Sequence, residues 1–271
     1  MNKVKSDKKN VSYERQVYAD SIKTKQLRLE EVLAPFCKPE EMIAMKEPAH
    51  YKNRVHRMFY HDKNGVGIRS GYISDDYNAP KIEEAYVDDE KCLEIIQTIK
   101  GMTKSFKIKT FDIKSGYGLL RYVAVRRAFG TGEIMVTLVL SSIIMPSKNN
   151  FTKELRRLHP EITTILISEN YKDIDAIYGD KEVKLFGKGF ILDSMYGKNF
   201  RVGMKSQYTL NPILTEKICE TIEKWGAFHG NELVLDAFCG IGTYGIALSD
   251  KVRKVLSVET NLEMHRDAIS N

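Results

Sequence analysis

Leu233-Val234-Leu235-Asp236-Ala237-Phe238-Cys239-Gly240-Ile241-Gly242-Thr243-Tyr244-Gly245 is the stretch whose reading decides the fold. A short apolar run with an acid near its end predicts a buried strand, and it leads directly into glycines at all three positions of a G-x-G-x-x-G turn. Gly240 lets the chain turn tightly, Gly242 lets the backbone approach a ligand, and Gly245 lets the following helix pack closely on the sheet. The next strand, Val255-Leu256-Ser257-Val258-Glu259, ends in an acid 19 residues beyond Gly240, where a carboxylate can accept hydrogen bonds from a ribose. Strand, glycine turn, helix and acid-tipped strand together imply a nucleoside-containing cofactor. Asp236 discriminates among such cofactors: an anion just before the glycines repels a pyrophosphate but suits the cationic methionine end of S-adenosylmethionine. The alternative reading of Asp236 is a carboxylate that caps the helix.

Upstream, Asn211-Pro212 opens a helix predicted over Ile213–Trp225, because proline is pre-organised for a first helical position. This marks a boundary near residue 210. Residues 41–210 are strand-rich. Hairpins are predicted at Tyr51–His61 with Val66–Tyr72 and at Leu119–Arg127 with Glu133–Leu140, followed by strands at Thr163–Ser168, Val183–Phe186, Phe190–Leu192 and Phe200–Val202. Helices are expected at Asp88–Ser105, with Cys92, Leu93, Ile95, Ile96 and Ile99 inward, and at Asn150–Leu158. The expected class is α+β with antiparallel pairing, followed by the first β-α-β part of a Rossmann-like domain over 211–271. Residues 1–40 read as a lysine-rich arm over 1–10 and then, from Ser12, an amphipathic helix whose stripe is Tyr13, Val17, Ile22, Leu27, Leu29, Val32 and Leu33.

The composition narrows the function. With 42 Lys and Arg against 36 Asp and Glu the 271-residue chain carries a net charge of +6, and 42% of its residues are hydrophobic. Wholesale disorder and a disulfide scaffold are excluded at these values. No apolar run approaches a membrane span, and the polar start MNKVKSDKKN is no secretory signal, so a cytoplasmic protein is expected. Four scattered cysteines without a CxxC pair predict reduced thiols and no metal site. The positive balance suits an acidic partner. Tyr51, Lys52, Arg54, His56, Arg57 and Tyr60 interleave cations with aromatic rings on one predicted strand, and Arg121, Tyr122, Arg126 and Arg127 do so on another. Cations neutralise phosphates and rings stack unpaired bases, so RNA is the expected partner; two solvated strand faces are the plainer reading.

Together these segments resemble the class I RNA (uracil-5-)-methyltransferases. Asp236-Ala237-Phe238-Cys239-Gly240-Ile241-Gly242-Thr243 is similar to that family's D-x-F-C-G-x-G-x block. Tyr51-Lys52-Asn53-Arg54, Leu119–Arg126, Thr131-Gly132-Glu133-Ile134-Met135-Val136 and Ser206–Pro212 resemble further family segments in the same order. The resemblance implies S-adenosylmethionine contacts at Thr209, Asp236, Phe238, Gly240, Gly242 and Glu259, with Thr209 standing where the family has a longer glutamine. It implies RNA contacts at Lys52, Arg54, Arg57, Arg121 and Arg126. Asn211 either meets the target uracil or caps the helix that Pro212 begins.

Such enzymes add a cysteine thiolate to uracil C6, transfer a methyl group to C5 and remove the C5 proton with a base. The family's nucleophile and base segments would lie beyond Asn271, so no catalytic residue is assigned in this chain and no turnover by it alone is expected. Cys92 aligns with the last ligand of the family's iron–sulfur cluster, but the other three positions hold no cysteine, so no cluster is expected. The expected function is 5-methyluridine formation, in 23S rRNA rather than tRNA. A noncatalytic RNA-binding remnant and a small-molecule methyltransferase are the rivals. An unfinished sheet would leave an edge for a partner chain to complete.

Overall fold

The computed structural model describes residues 2–70, 86–171 and 176–271. In chain order the elements are α1 (Asn2–Leu33), β1 (Arg54–Asp62), β2 (Gly65–Arg69), α2 (Glu90–Ser105), β3 (Leu120–Arg127), β4 (Ile134–Leu140), α3 (Lys148–Leu158), β5 (Ile162–Glu169), β6 (Lys181–Gly187), β7 (Ile191–Met195) and β8 (Lys198–Val202). They continue with α4 (Pro212–Gly226), β9 (Leu233–Ala237), α5 (Thr243–Ala247), β10 (Lys254–Val258) and α6 (Leu262–Ser270).

Six strands form one sheet in the order β2-β1-β3-β4-β5-β6. Both expected hairpins are present, β1 with β2 and β3 with β4, although the first strand pair ends at Arg69, and residues 71 and 72 lie outside the described residues. The sheet is mixed and not purely antiparallel as expected: β4 and β5 run parallel. The reason is α3, which crosses the sheet between them with Phe151 and Leu155 buried, and a helical crossover returns the chain to the edge from which it left. Ile134-Met135-Val136-Thr137-Leu138-Val139-Leu140 is buried along its whole length, as a strand covered on both faces must be.

On one face Val55, Phe59, Val123, Val136, Leu138 and Ile165 pack under α2 and α3. Helix α2 is capped by Asp89, whose side chain accepts from the Cys92 N–H, and it turns Cys92, Ile95, Ile96 and Ile99 inward. The opposite face is covered at one end by the β7–β8 hairpin and the segment after it, through Met135, Leu166, Phe200, Met204, Tyr208 and Ile241. Tyr196 and Gly197 both have positive φ in the two-residue turn of that hairpin, the conformation whose twist suits tight hairpins.

Helix α1 departs from expectation in extent and in face. It begins at Asn2 instead of Ser12, and Val17, Leu27 and Val32 are 49%, 62% and 60% exposed. At 3.6 residues per turn, positions five apart diverge by roughly 140°, so Val17, Ile22 and Leu27 make no single stripe. The helix is held instead by polar contacts to the segment after it: Tyr18 Oη accepts from the Met45 N–H at 2.9 Å and Gln26 Oε1 from the Met42 N–H at 2.9 Å.

After α4, strands β9 and β10 pair in parallel as a separate two-stranded sheet. Val234, Asp236, Val255 and Ser257 share the face toward α5, while Leu233, Leu235, Leu256 and Val258 on the other face are 41–65% exposed.

A charge pair lies inside the larger unit. Arg57 is buried beside Asp88, which has no exposed surface and also sits 3.5 Å from Lys52 Nζ. Removing one member strands the other in a low-dielectric site. Asp88→Asn is expected to cost about 3–5 kcal/mol, read as a lowered urea midpoint at unchanged slope.

Candidate cofactor crevice and strand cations

The crevice forms where β9 and β10 end side by side, since the carboxyl ends of parallel strands leave room between the turns that follow them. Gly240 and Gly242 have φ of 59° and 85°, a region in which a Cβ clashes with the backbone. Glu259, at the end of β10, accepts from the Gly240 N–H at 2.9 Å and from the Asn261 N–H at 2.7 Å. Its carboxyl lies below the usual carboxylate range chiefly through the Asn261 bond. The acid at the second strand's end therefore fixes the glycine turn directly, and a carboxylate keeps further lone pairs for a ligand.

Asp236 Oδ2 accepts from the Gly245 N–H at 2.9 Å, so the helix-capping alternative describes one of its oxygens. The other accepts no hydrogen bond among the described residues. Burial raises the Asp236 carboxyl above its ordinary value, against the Gly245 bond. Gly245 is required for contact: a Cβ there would lie 2.8 Å from Asp236 Oδ2 and 2.9 Å from Val255 Cγ1. Phe238 is 83% exposed at the crevice and holds a positive φ of 62°. A phenylalanine in that region is a costly conformation that its surroundings must impose.

Two of the expected contacts are spent elsewhere. Thr209 Oγ1 lies 2.6 Å from Thr215 Oγ1 and accepts from the Asn211 N–H at 3.1 Å. Asn211 Oδ1 accepts from the Leu214 N–H at 3.1 Å. Both residues build the start of α4, so Asn211 follows its capping reading.

The strand cations divide sharply. Arg57 faces Asp88. Arg121 has no exposed surface; it is the extra residue of a bulge between Leu120 and Tyr122, and it bonds to the Asn170 carbonyl and, at 2.9 Å, to Asn170 Oδ1. Arg126 donates at 3.0 Å to the carbonyls of Gly203 and Ser206. Burial, aided by Arg54, lowers its guanidinium to about 10. These three are turned inward, which corrects the expectation that they meet RNA. Arg54, His56 and Tyr60 are the half-buried members of β1, and Lys52, half-buried, precedes them. Among the described residues no cluster of His, Cys, Asp and Glu could hold a metal ion, and no helix is long and apolar enough to cross a membrane.

No family model matches the chain. It is 32% identical over 219 residues to an uncharacterized RNA methyltransferase of Clostridium acetobutylicum, covering 81% of this chain and 47% of that protein. A Clostridium tetani protein described in the same words is 31% identical over 220 residues, 81% of this chain and 48% of the relative. One from Enterococcus faecalis is 28% identical over 94% of this chain and 56% of its own length. The chain belongs to the RNA methyltransferase family. It spans about half the length of these curated relatives.

This RNA methyltransferase family member also shares its fold with the crystal structure of Pyrococcus abyssi tRNA (uracil-54, C5)-methyltransferase in complex with S-adenosyl-L-homocysteine. The TM-score is 0.73 at 23% identity, over 94% of this chain and 58% of that one. The mixed central sheet and the β9–α5–β10 unit fall within a methyltransferase fold. Gly245→Ala is expected to destabilise the β9–α5–β10 unit by about 1–3 kcal/mol through overpacking. Hydrogen exchange should show that loss in Leu233–Val258 while the amides of β3 and β4 keep their protection.

Proposed function

We propose that this chain supplies the S-adenosylmethionine crevice and part of the RNA-binding surface of an RNA uracil-C5 methyltransferase. The observation that carries the reading is the acid-tipped strand pair: Glu259 bonded to Gly240 N–H at 2.9 Å, beside a half-free Asp236 and an exposed Phe238. The backbone at Gly240 stays open, since a Cβ built there meets only the Gln207 carbonyl oxygen at 3.6 Å. These residues fit a nucleoside bearing a cationic tail better than one bearing phosphates, because two of the groups that shape the site, Asp236 and Glu259, are carboxylates. Glu259 would accept from the ribose, Phe238 would flank the base, and the unbonded Asp236 oxygen would face the cationic methionine end. Bound there, S-adenosylmethionine supplies an electrophilic methyl group.

The RNA is proposed to lie along β1, with Lys52 and Arg54 toward phosphates and His56 and Tyr60 toward bases. Structured 23S rRNA is the proposed substrate; the Pyrococcus abyssi neighbour is a tRNA (uracil-54, C5)-methyltransferase, which makes a tRNA the rival to test beside it. The thiolate that uracil-C5 chemistry needs is not assigned to this chain. Cys92, Cys219 and Cys239 are buried, and burial pushes all three thiols up, Cys219 to about 11. Thiols of that kind are poor nucleophiles at neutral pH. Binding without turnover is the expected behaviour of these residues by themselves.

Calorimetry tests this. The chain is expected to bind S-adenosylhomocysteine and to ignore NAD. Glu259→Ala should weaken binding about tenfold, the equivalent of one lost hydrogen bond to a charged acceptor. NAD uptake with indifference to S-adenosylhomocysteine would reverse the reading. Tritium release from C5-labelled uridine in 23S rRNA or tRNA should stay at background with this chain alone.

A further inference from the structure

A broad hollow lies away from the crevice. It occupies about 1040 Å³ between the β1–β2 turn, the last turns of α2 and the segment that follows, and Lys100, Lys104, Lys107 and Lys109 line it together with His61. No aspartate or glutamate is among the described side chains that line it. None of the four lysines has a carboxylate within ion-pair distance among the described residues, although nine lysines elsewhere do.

The arrangement works against the fold's own stability. Lys100 and Lys104 are four apart on one helix face, a spacing at which like charges repel. Lys107 holds a left-handed φ of 53°, which carries Lys107 and Lys109 back toward the same hollow. The floor is partly apolar, with Val66 and Ile108, so the ammonium groups stand over low-dielectric walls that strengthen their field. Attraction of α2's carboxyl end for cations accounts for Lys104; it does not reach Lys109.

We infer that this hollow is a second RNA contact, a lysine-lined groove that grips the phosphodiester backbone at a distance from the target nucleotide. This rests on the RNA reading above. Lysine is a point charge with no fixed fork, so it neutralises phosphate without selecting bases. The groove's His61 is seven residues beyond Arg54 on β1, roughly 23 Å at the rise of an extended strand. A stacked RNA strand spans that distance in about seven nucleotides. The groove would therefore hold the stem next to the modified position and set its orientation.

The test uses the full chain and a fluorescein-labelled RNA hairpin, titrated by anisotropy over a series of KCl concentrations. Combining Lys100→Ala, Lys104→Ala, Lys107→Ala and Lys109→Ala should lower affinity on the order of a hundredfold near ~0.1 M salt, with the salt slope reduced by roughly two to three. The four Lys→Arg changes should retain most of both. A control that removes the same number of charges elsewhere, Lys181→Ala, Lys188→Ala, Lys217→Ala and Lys224→Ala, should shift binding far less. Equal losses in the two alanine variants, or none in either, would overturn the groove while leaving the RNA reading intact. Failure of the unaltered chain to bind RNA at all would overturn both. Binding of polyglutamate in the groove with no competition from RNA would make it a protein-docking site and end the proposal. Unchanged S-adenosylhomocysteine binding in the groove variant shows that its loss is local.

Discussion

Arg126 joins the two halves of this chain. Its guanidinium leaves β3, is buried, and donates to the carbonyls of Gly203 and Ser206 in the segment after β8. Ser206 in turn donates to Asp267 on α6, which also holds Arg201 at 2.6 Å. Asn271 closes the path, donating to the Ile241 carbonyl inside the glycine turn at 3.1 Å. A buried cation bonded only to carbonyls is costly to maintain and more costly to disrupt, because its donors have no water to turn to. The six-stranded sheet and the crevice are therefore fixed relative to each other by a directional network and by the Phe200, Tyr208 and Ile241 cluster.

The crevice itself is a local construction. Apart from the Asn271 bond to Ile241, the hydrogen bonds named at the crevice connect residues within about two dozen positions: Glu259 to Gly240, Asp236 to Gly245, and Asn261 to the start of α6. Its one conformational cost, the left-handed Phe238, falls next to the glycines, where backbone strain commonly accompanies a ligand site. The exposed apolar side of the β9–β10 pair contrasts with the face toward α5.

Hairpins, the Asn211 cap and the glycine turn were legible in the residues because each depends on neighbours in the chain. Asn211 caps α4, and the spacing of Gly240, Gly242, Gly245 and Glu259 carries the turn. The parallel pairing of β4 with β5 is not legible locally, because the path of α3 across the sheet depends on what the helix packs against. The apolar residues of α1 form no single stripe, because their angles around the helix scatter them.

The sequence by itself determined where strand, turn and helix begin and which residues could meet a nucleoside, since backbone conformation and short-range hydrogen bonds are set over a few residues. Tertiary structure alone decided which cations point outward. Arg54 and Arg126 oppose each other on neighbouring strands, yet one is half-exposed and the other enclosed, because the 203–206 segment covers only one of them. Whether an arginine meets RNA or a carbonyl depends on what packs over it, and that cover comes from residues nearly eighty positions away.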